Sequence, residues 1–88
     1  MAHVLAKLRG ARLADVKAQL DKDAASHAEQ GMYLEHLWQN AEDPADVLFL
    51  FQVTDLDHCR QLVKKTHTQA RQQDPAVNLP EMTFLEGL

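Results

Sequence analysis

Residues Val47 to Val53 read Val-Leu-Phe-Leu-Phe-Gln-Val, with one polar residue in the run. This is a strand pattern with apolar side chains on both faces. A strand of that kind belongs in a sheet covered on both sides. Only two other segments of the chain carry helical periodicity, and they suffice to cover one side. The run therefore constrains the assembly as well as the fold. The second side asks for another cover, and a second copy of the chain is the simplest one.

The segments around it supply the rest of the sheet. His3 to Arg9 alternates, with Val4, Ala6 and Leu8 opposed to His3, Leu5, Lys7 and Arg9, and ends at Gly10. Leu13 to about Gln30 predicts a helix with Leu13, Val16, Leu20, Ala24 and Ala28 on one stripe, closed by Gly31. Met32 to Gln39 predicts a second strand, with Met32, Leu34, His36 and Trp38 opposed to Tyr33, Glu35, Leu37 and Gln39. The acidic, proline-containing stretch from Asn40 to Asp46 reads as its connection to Val47. Thr54 or Asp55 then caps a helix from Leu56 to Gln72, and Thr54 with Asp57 approximates a capping box. Its inner stripe is Leu56, Cys59, Leu62, Val63, Thr66 and Ala70. Asp74-Pro75 stops it, and Glu81 to Glu86 forms a last strand with Met82 and Phe84 opposed to Thr83 and Leu85.

The order β-α-β-β-α-β predicts an α+β protein of ferredoxin-like topology, as one domain over residues 1–88. Its crossovers put both helices on one face of a four-stranded antiparallel sheet. Val47, Phe49, Phe51 and Val53 then face the helices, and Leu48, Leu50 and Gln52 face the open side. Exposed leucines make a patch that small proteins usually hide. Pairing with a twofold mate would bury them and enclose a barrel-like space between two sheets.

Composition narrows the partners. A net charge of −4 argues against nucleic acid as a partner, because phosphate neutralisation needs a basic surface. An RNA-binding domain of the same topology would also carry a basic residue and glycine before Phe49 and Phe51, where this chain has Asp46-Val47. Cys59 is the only cysteine, which fits a reducing compartment. Met1 to Lys7 holds no long apolar segment, and no apolar run approaches the roughly 20 residues that span a bilayer. The expectation is a cytoplasmic protein with no membrane partner.

Several stretches carry a family resemblance. Asn40-Ala41-Glu42-Asp43-Pro44, Val47-Leu48-Phe49-Leu50-Phe51, Asp55-Leu56 and Pro80-Glu81-Met82-Thr83-Phe84-Leu85-Glu86 resemble the dimeric α/β-barrel superfamily, near its antibiotic-biosynthesis-monooxygenase-like members. The resemblance implies a homodimer with a cleft between sheet and helices. It does not imply one activity, since the fold hosts oxygenases, isomerases, haem-degrading enzymes and proteins without known activity. The chain departs from the superfamily at Val53, where similar small proteins carry tryptophan. It also lacks the first-strand asparagine and the aromatic residue of haem-degrading relatives. His67 alone matches their pattern, so haem degradation is disfavoured.

The candidate pocket residues are His36, Trp38, Gln52 and Lys7. His36 beside Trp38 offers a proton-transferring imidazole and an aromatic platform. Packing at a helix or a dimer seam is the plainer reading of such a pair. Gln52 is the one polar residue in an apolar strand. Lys7, Arg9 and Glu35 add polar groups if they share its face. The five histidines His3, His27, His36, His58 and His67 show no zinc spacing, so no metal and no cofactor is expected. Arg60, Lys64, His67 and Arg71 line one helix side and read as a solvated face. Cys59 reads as a buried inert thiol. The function these features favour is binding or transformation of an apolar organic molecule without a cofactor, monooxygenase-like or isomerase-like, by a homodimer. The alternative is a non-catalytic ligand-sensing or structural dimer module of the same fold. An amino-acid sensor of that kind would use the Gly10-Ala11-Arg12 loop.

Overall fold

The computed structural model describes residues 1–87. Strand β1 (Ala2–Arg9) leads through Gly10 into helix α1 (Leu13–Glu29). Strands β2 (Met32–Asn40) and β3 (Asp43–Val53) form a hairpin, followed by helix α2 (Leu56–Gln73) and strand β4 (Glu81–Glu86). The four strands make one sheet in the order β2-β3-β1-β4, antiparallel at each pairing. This is the ferredoxin-like arrangement that the element order predicts.

The core lies between the sheet and the helices. Val4 and Ala6 of β1, Val47, Phe49, Phe51 and Val53 of β3, and Met32 of β2 are buried against Val16 and Leu20 of α1 and Cys59 of α2. Met82 and Phe84 of β4 pack on the same side, opposite Ala6 and Val4. The faces expected for β1, β3 and β4 are those observed, because one buried face leaves a period-two pattern little freedom to slip.

Strand β2 differs from its expected alternation. Its register on β3 shifts between Leu34 and His36, which leaves Glu35 as an extra residue. Met32 and Leu34 stand on the helix side opposite Val53 and Phe51. After the bulge, His36 and Trp38 stand opposite Leu50 and Leu48, on the open side. They therefore do not share a face with Met32 and Leu34. One inserted residue reverses the parity of everything beyond it.

The hairpin connection is also shorter than the Asn40-to-Asp46 stretch expected. Pairing reaches Asn40 and Asp43, so only Ala41 and Glu42 turn. The Asn40 side-chain oxygen accepts from the Glu42 N–H at 3.0 Å, which supports so tight a turn. At α2, Asp55 is the N-cap, its carboxylate accepting the His58 N–H at 3.1 Å. The Thr54–Asp57 box does not form. Asp57 instead pairs with Arg60 at 3.3 Å.

Two contacts fix the ends of the layers. Asn78 in the connection to β4 donates its amide to the Arg9 carbonyl at 2.6 Å. His58 Nε2 and Gln30 Oε1 lie 2.7 Å apart, joining the end of α1 to the start of α2. The molecule measures 31 × 30 × 22 Å. The short dimension corresponds to one sheet and one helix layer, so nothing within the described residues covers the far side of the sheet. Among the described residues, no helix is long and apolar enough to cross a membrane.

Candidate functional site

The two helices do not meet along their full length. Only Cys59 of α2 is fully buried, while Leu62, Val63 and Ala70 are half-buried and Thr66 is exposed. The space left between α1, α2 and the sheet is a cleft of about 630 Å³. Its floor is Met32, Phe49, Phe51 and Met82 of the sheet, and Leu20, Leu62 and Val63 form its apolar sides. Ser26 and His27 of α1, with Gln30 just past its end, face it from one wall, Thr66 and His67 of α2 from the other. An apolar hollow with a few convergent polar groups is the usual form of a small-molecule site.

The polar groups have distinct settings. His27 lies edge-on to Phe51, with ring centroids 5.1 Å apart, and Phe51 lies edge-on to Phe49 at 5.7 Å. Thr66 spends its hydroxyl on the Leu62 and Val63 carbonyls of its own helix, at 2.9 and 3.2 Å. His67 is half-buried, and its pKa is lowered from the ordinary histidine value by desolvation and then by the positive charge of Arg71. A neutral imidazole facing an apolar cleft is suited to accept a proton.

The lowered pKa has a consequence for folding. A histidine with a depressed folded-state pKa contributes its stability above the unfolded value, and that contribution is lost as pH falls through the folded value. Thermal denaturation from pH 7.5 down to about 5 should therefore show a fall that is shallower in His67→Gln. Parallel curves for the two proteins would assign the acid loss elsewhere.

The four residues singled out from the sequence do not line this cleft. His36, Trp38, Gln52 and Lys7 all lie on the open face of the sheet, by their cross-strand partners. Trp38, Leu48 and Lys7 form one row, His36, Leu50 and Leu5 the next, and Tyr33, Gln52 and His3 a third. The His36 and Trp38 rings stack at 4.9 Å and 14°. Gln52 donates its amide to the Met1 sulfur at 3.2 Å. Lys7 lies 4.0 Å from Asp46, and His3 reaches across β3 to Glu35 at 2.7 Å. The structure brings the four onto one surface, around Leu5, Leu48 and Leu50.

The cleft residues His27 and Gln30 carry a sequence signal of their own. Asp23, His27 and Gln30 recur at steps of four and three, beside the apolar stripe of α1. A second hollow of about 450 Å³ adjoins the cleft at Gly10, Ala11 and Arg12, with Asp15, Val16 and Phe49 in its wall. Burial raises the pKa of the Cys59 thiol and keeps it protonated. Among the described residues, no three His, Cys, Asp or Glu side chains are grouped to hold a metal ion.

No family model matches the chain, and no curated protein matches it significantly. Among solved structures it is similar to a proposed antibiotic biosynthesis monooxygenase from Deinococcus radiodurans, with a TM-score of 0.63 and 14% identity. The likeness covers 100% of this chain and 93% of that one.

Proposed function

We propose, from a fold similar to that of a solved antibiotic-biosynthesis-monooxygenase-like protein, that the protein is a homodimer whose helix-side cleft binds and transforms an apolar, hydroxylated organic molecule without a cofactor. The observation that carries this reading is the 630 Å³ cleft, with its aromatic and methionine floor beneath His67. Phe, Met and Leu side chains suit a flat aromatic body. Among the lining residues are Asp23 and two histidines, but no lysine or arginine, which disfavours a strongly anionic ligand. His67 takes the hydroxyl proton, leaving an electron-rich phenolate. Dioxygen can oxidise such an anion directly. One of its atoms becomes a ring carbonyl and the other leaves as water with the two hydrogens lost, as from a naphthol to a naphthoquinone.

The second copy covers the open face. Trp38 and Tyr33 there are 46% and 48% exposed, large values for such rings, and Leu85, 40% exposed, lies on the same face at the opposite edge of the sheet. Three leucines occupy the middle of the two inner strands. Full cover would contribute roughly 1.5–3 kcal/mol for each large apolar side chain, set against several kcal/mol lost on association. The charges are self-complementary. Central β1 presents His3, Lys7 and Arg9, its neighbours β3 and β4 present Asp46 and Glu81, and edge strand β2 presents Glu35. A twofold partner can lay the basic row of one sheet on the acidic flank of the other.

Calorimetric titration with a naphthol, paired with sedimentation velocity, tests both halves. Val63→Trp fills the cleft and should abolish naphthol binding while leaving a dimer. Leu50→Glu should give a folded monomer at micromolar concentration. If Val63→Trp binds like the parent protein, the ligand site is elsewhere. If Leu50→Glu sediments as the parent does, the open face is not the interface.

A further inference from the structure

The 450 Å³ hollow at the start of α1 takes no part in the proton transfer at His67. Its apolar wall is Leu8, Ala11, Val16, Leu20, Phe49 and Pro80. Two hydrogen bonds frame it. The Ala11 N–H donates to the Ala45 carbonyl at 3.0 Å, which ties the turn after β1 to β3. The Asn78 amide donates to the Arg9 carbonyl at 2.6 Å, which brings the segment ending at Pro80 to the same turn. Gly10 has no side chain there and Ala11 only a methyl group, so the turn leaves the space unfilled. Gln19, Leu20, Phe49 and Pro80 line the cleft as well, and the two hollows meet at these residues.

The two hollows differ in chemistry. The cleft presents His27, Gln30 and His67 to a ligand. The polar residues of the second hollow are Arg12, Asp15 and Gln19, spaced three and four apart along α1 and all exposed. Groups so exposed keep their water and hold a ligand's charge weakly. The rest of the wall is aliphatic apart from Phe49, so a polar group placed inside would lose its water without a buried partner. We propose that this hollow receives an aliphatic chain carried by the hydroxylated ring in the cleft. The inference rests on the cleft reading above and names the substrate class of that site: an alkyl-substituted phenol or naphthol instead of a bare aromatic. The ring lies over Phe49 and Phe51 with its hydroxyl at His67, and the chain passes between Leu20 and Pro80 toward Ala11. Each methylene moved out of water there tightens binding about fourfold. The chain also fixes the ring, which cannot turn its hydroxyl away from His67 without withdrawing the chain.

Calorimetric titration of the full chain with 1-naphthol and its 2-methyl, 2-butyl and 2-hexyl derivatives reads this directly. The expected result is a Kd that falls about fourfold per added methylene until the hollow is full, then levels off. Ala11→Phe fills the hollow from outside the cleft. It should bind 1-naphthol as the parent does and lose at least about tenfold in affinity for the 2-hexyl compound. Circular dichroism checks that the variant is folded. Ala11→Leu, a smaller change at the same place, should show a lesser loss in the same direction and serves if Ala11→Phe does not fold. A parent protein that binds 1-naphthol and gains nothing from the chain overturns the inference and leaves the cleft reading standing. So does a chain-length gain that survives whole in the folded Ala11 variants, because the chain then lies elsewhere. If the parent binds none of the four compounds, the cleft reading fails and this inference with it.

Discussion

Phe51→Ala is expected to cost about 3–5 kcal/mol of folding stability, the range for removing a buried aromatic ring. Phe51 is 3% exposed near the end of β3, with Val4 and Leu34 as its cross-strand neighbours. Its ring holds Phe49 and His27 edge-on, so truncation leaves a void beneath both. Domains of this size have roughly 5–15 kcal/mol in total, so the loss takes a large share. Urea denaturation should show a lower midpoint with little change in slope. Phe51→Leu should retain most of the stability, because it keeps apolar volume in place. A loss below about 1 kcal/mol would mean that the cleft already exposes the ring to water and that it is not a core residue.

Gly31→Ala should cost about 2–4 kcal/mol, from a left-handed backbone and a collision. Gly31 has φ +73°, where a side chain carries a penalty of about 1–2 kcal/mol. A Cβ there would also run into the Thr54 hydroxyl. The Thr54 main chain is held in place by its N–H, which donates to the Gly31 carbonyl at 3.0 Å, so relief has to come from turning the hydroxyl into another rotamer. The double variant Gly31→Ala/Thr54→Ala should regain the steric part and keep the backbone part. Gly10 provides the contrast: its φ is +68°, but a Cβ would meet only the Asn78 amide at 3.9 Å. Equal losses for the single and double Gly31 variants would show that the collision contributes nothing.

The strand faces that were legible in the sequence are those set by one physical constraint. On β1, β3 and β4 an apolar row alternates without interruption, and burial of that row dictates the opposite one. On β2 the same rule misplaces His36 and Trp38 beside Met32 and Leu34. A bulge is defined by the neighbouring strand, and Leu34-Glu35-His36 gives no local sign of it. The cleft was hidden for a related reason. Leu62 and Val63 have the spacing of inner helix residues, but the distance between two helices is not written in the period of either one. His27 could have been found beside Asp23 and Gln30. His67 fell within a basic stripe that reads as solvated, yet it turns toward the gap between the helices.

The bond between His58 and Gln30 gives the cleft a polarity. Gln30 commits its carbonyl oxygen to the His58 ring, outside the cleft. What its amide can still present to a bound molecule is the pair of N–H groups. That wall therefore offers donors, while a neutral His67 across the gap offers an acceptor. A ligand with a carbonyl at one end and a hydroxyl at the other would have a preferred direction in the cleft. A change at His58 could reverse that preference without touching the ligand, by freeing the Gln30 amide to turn over.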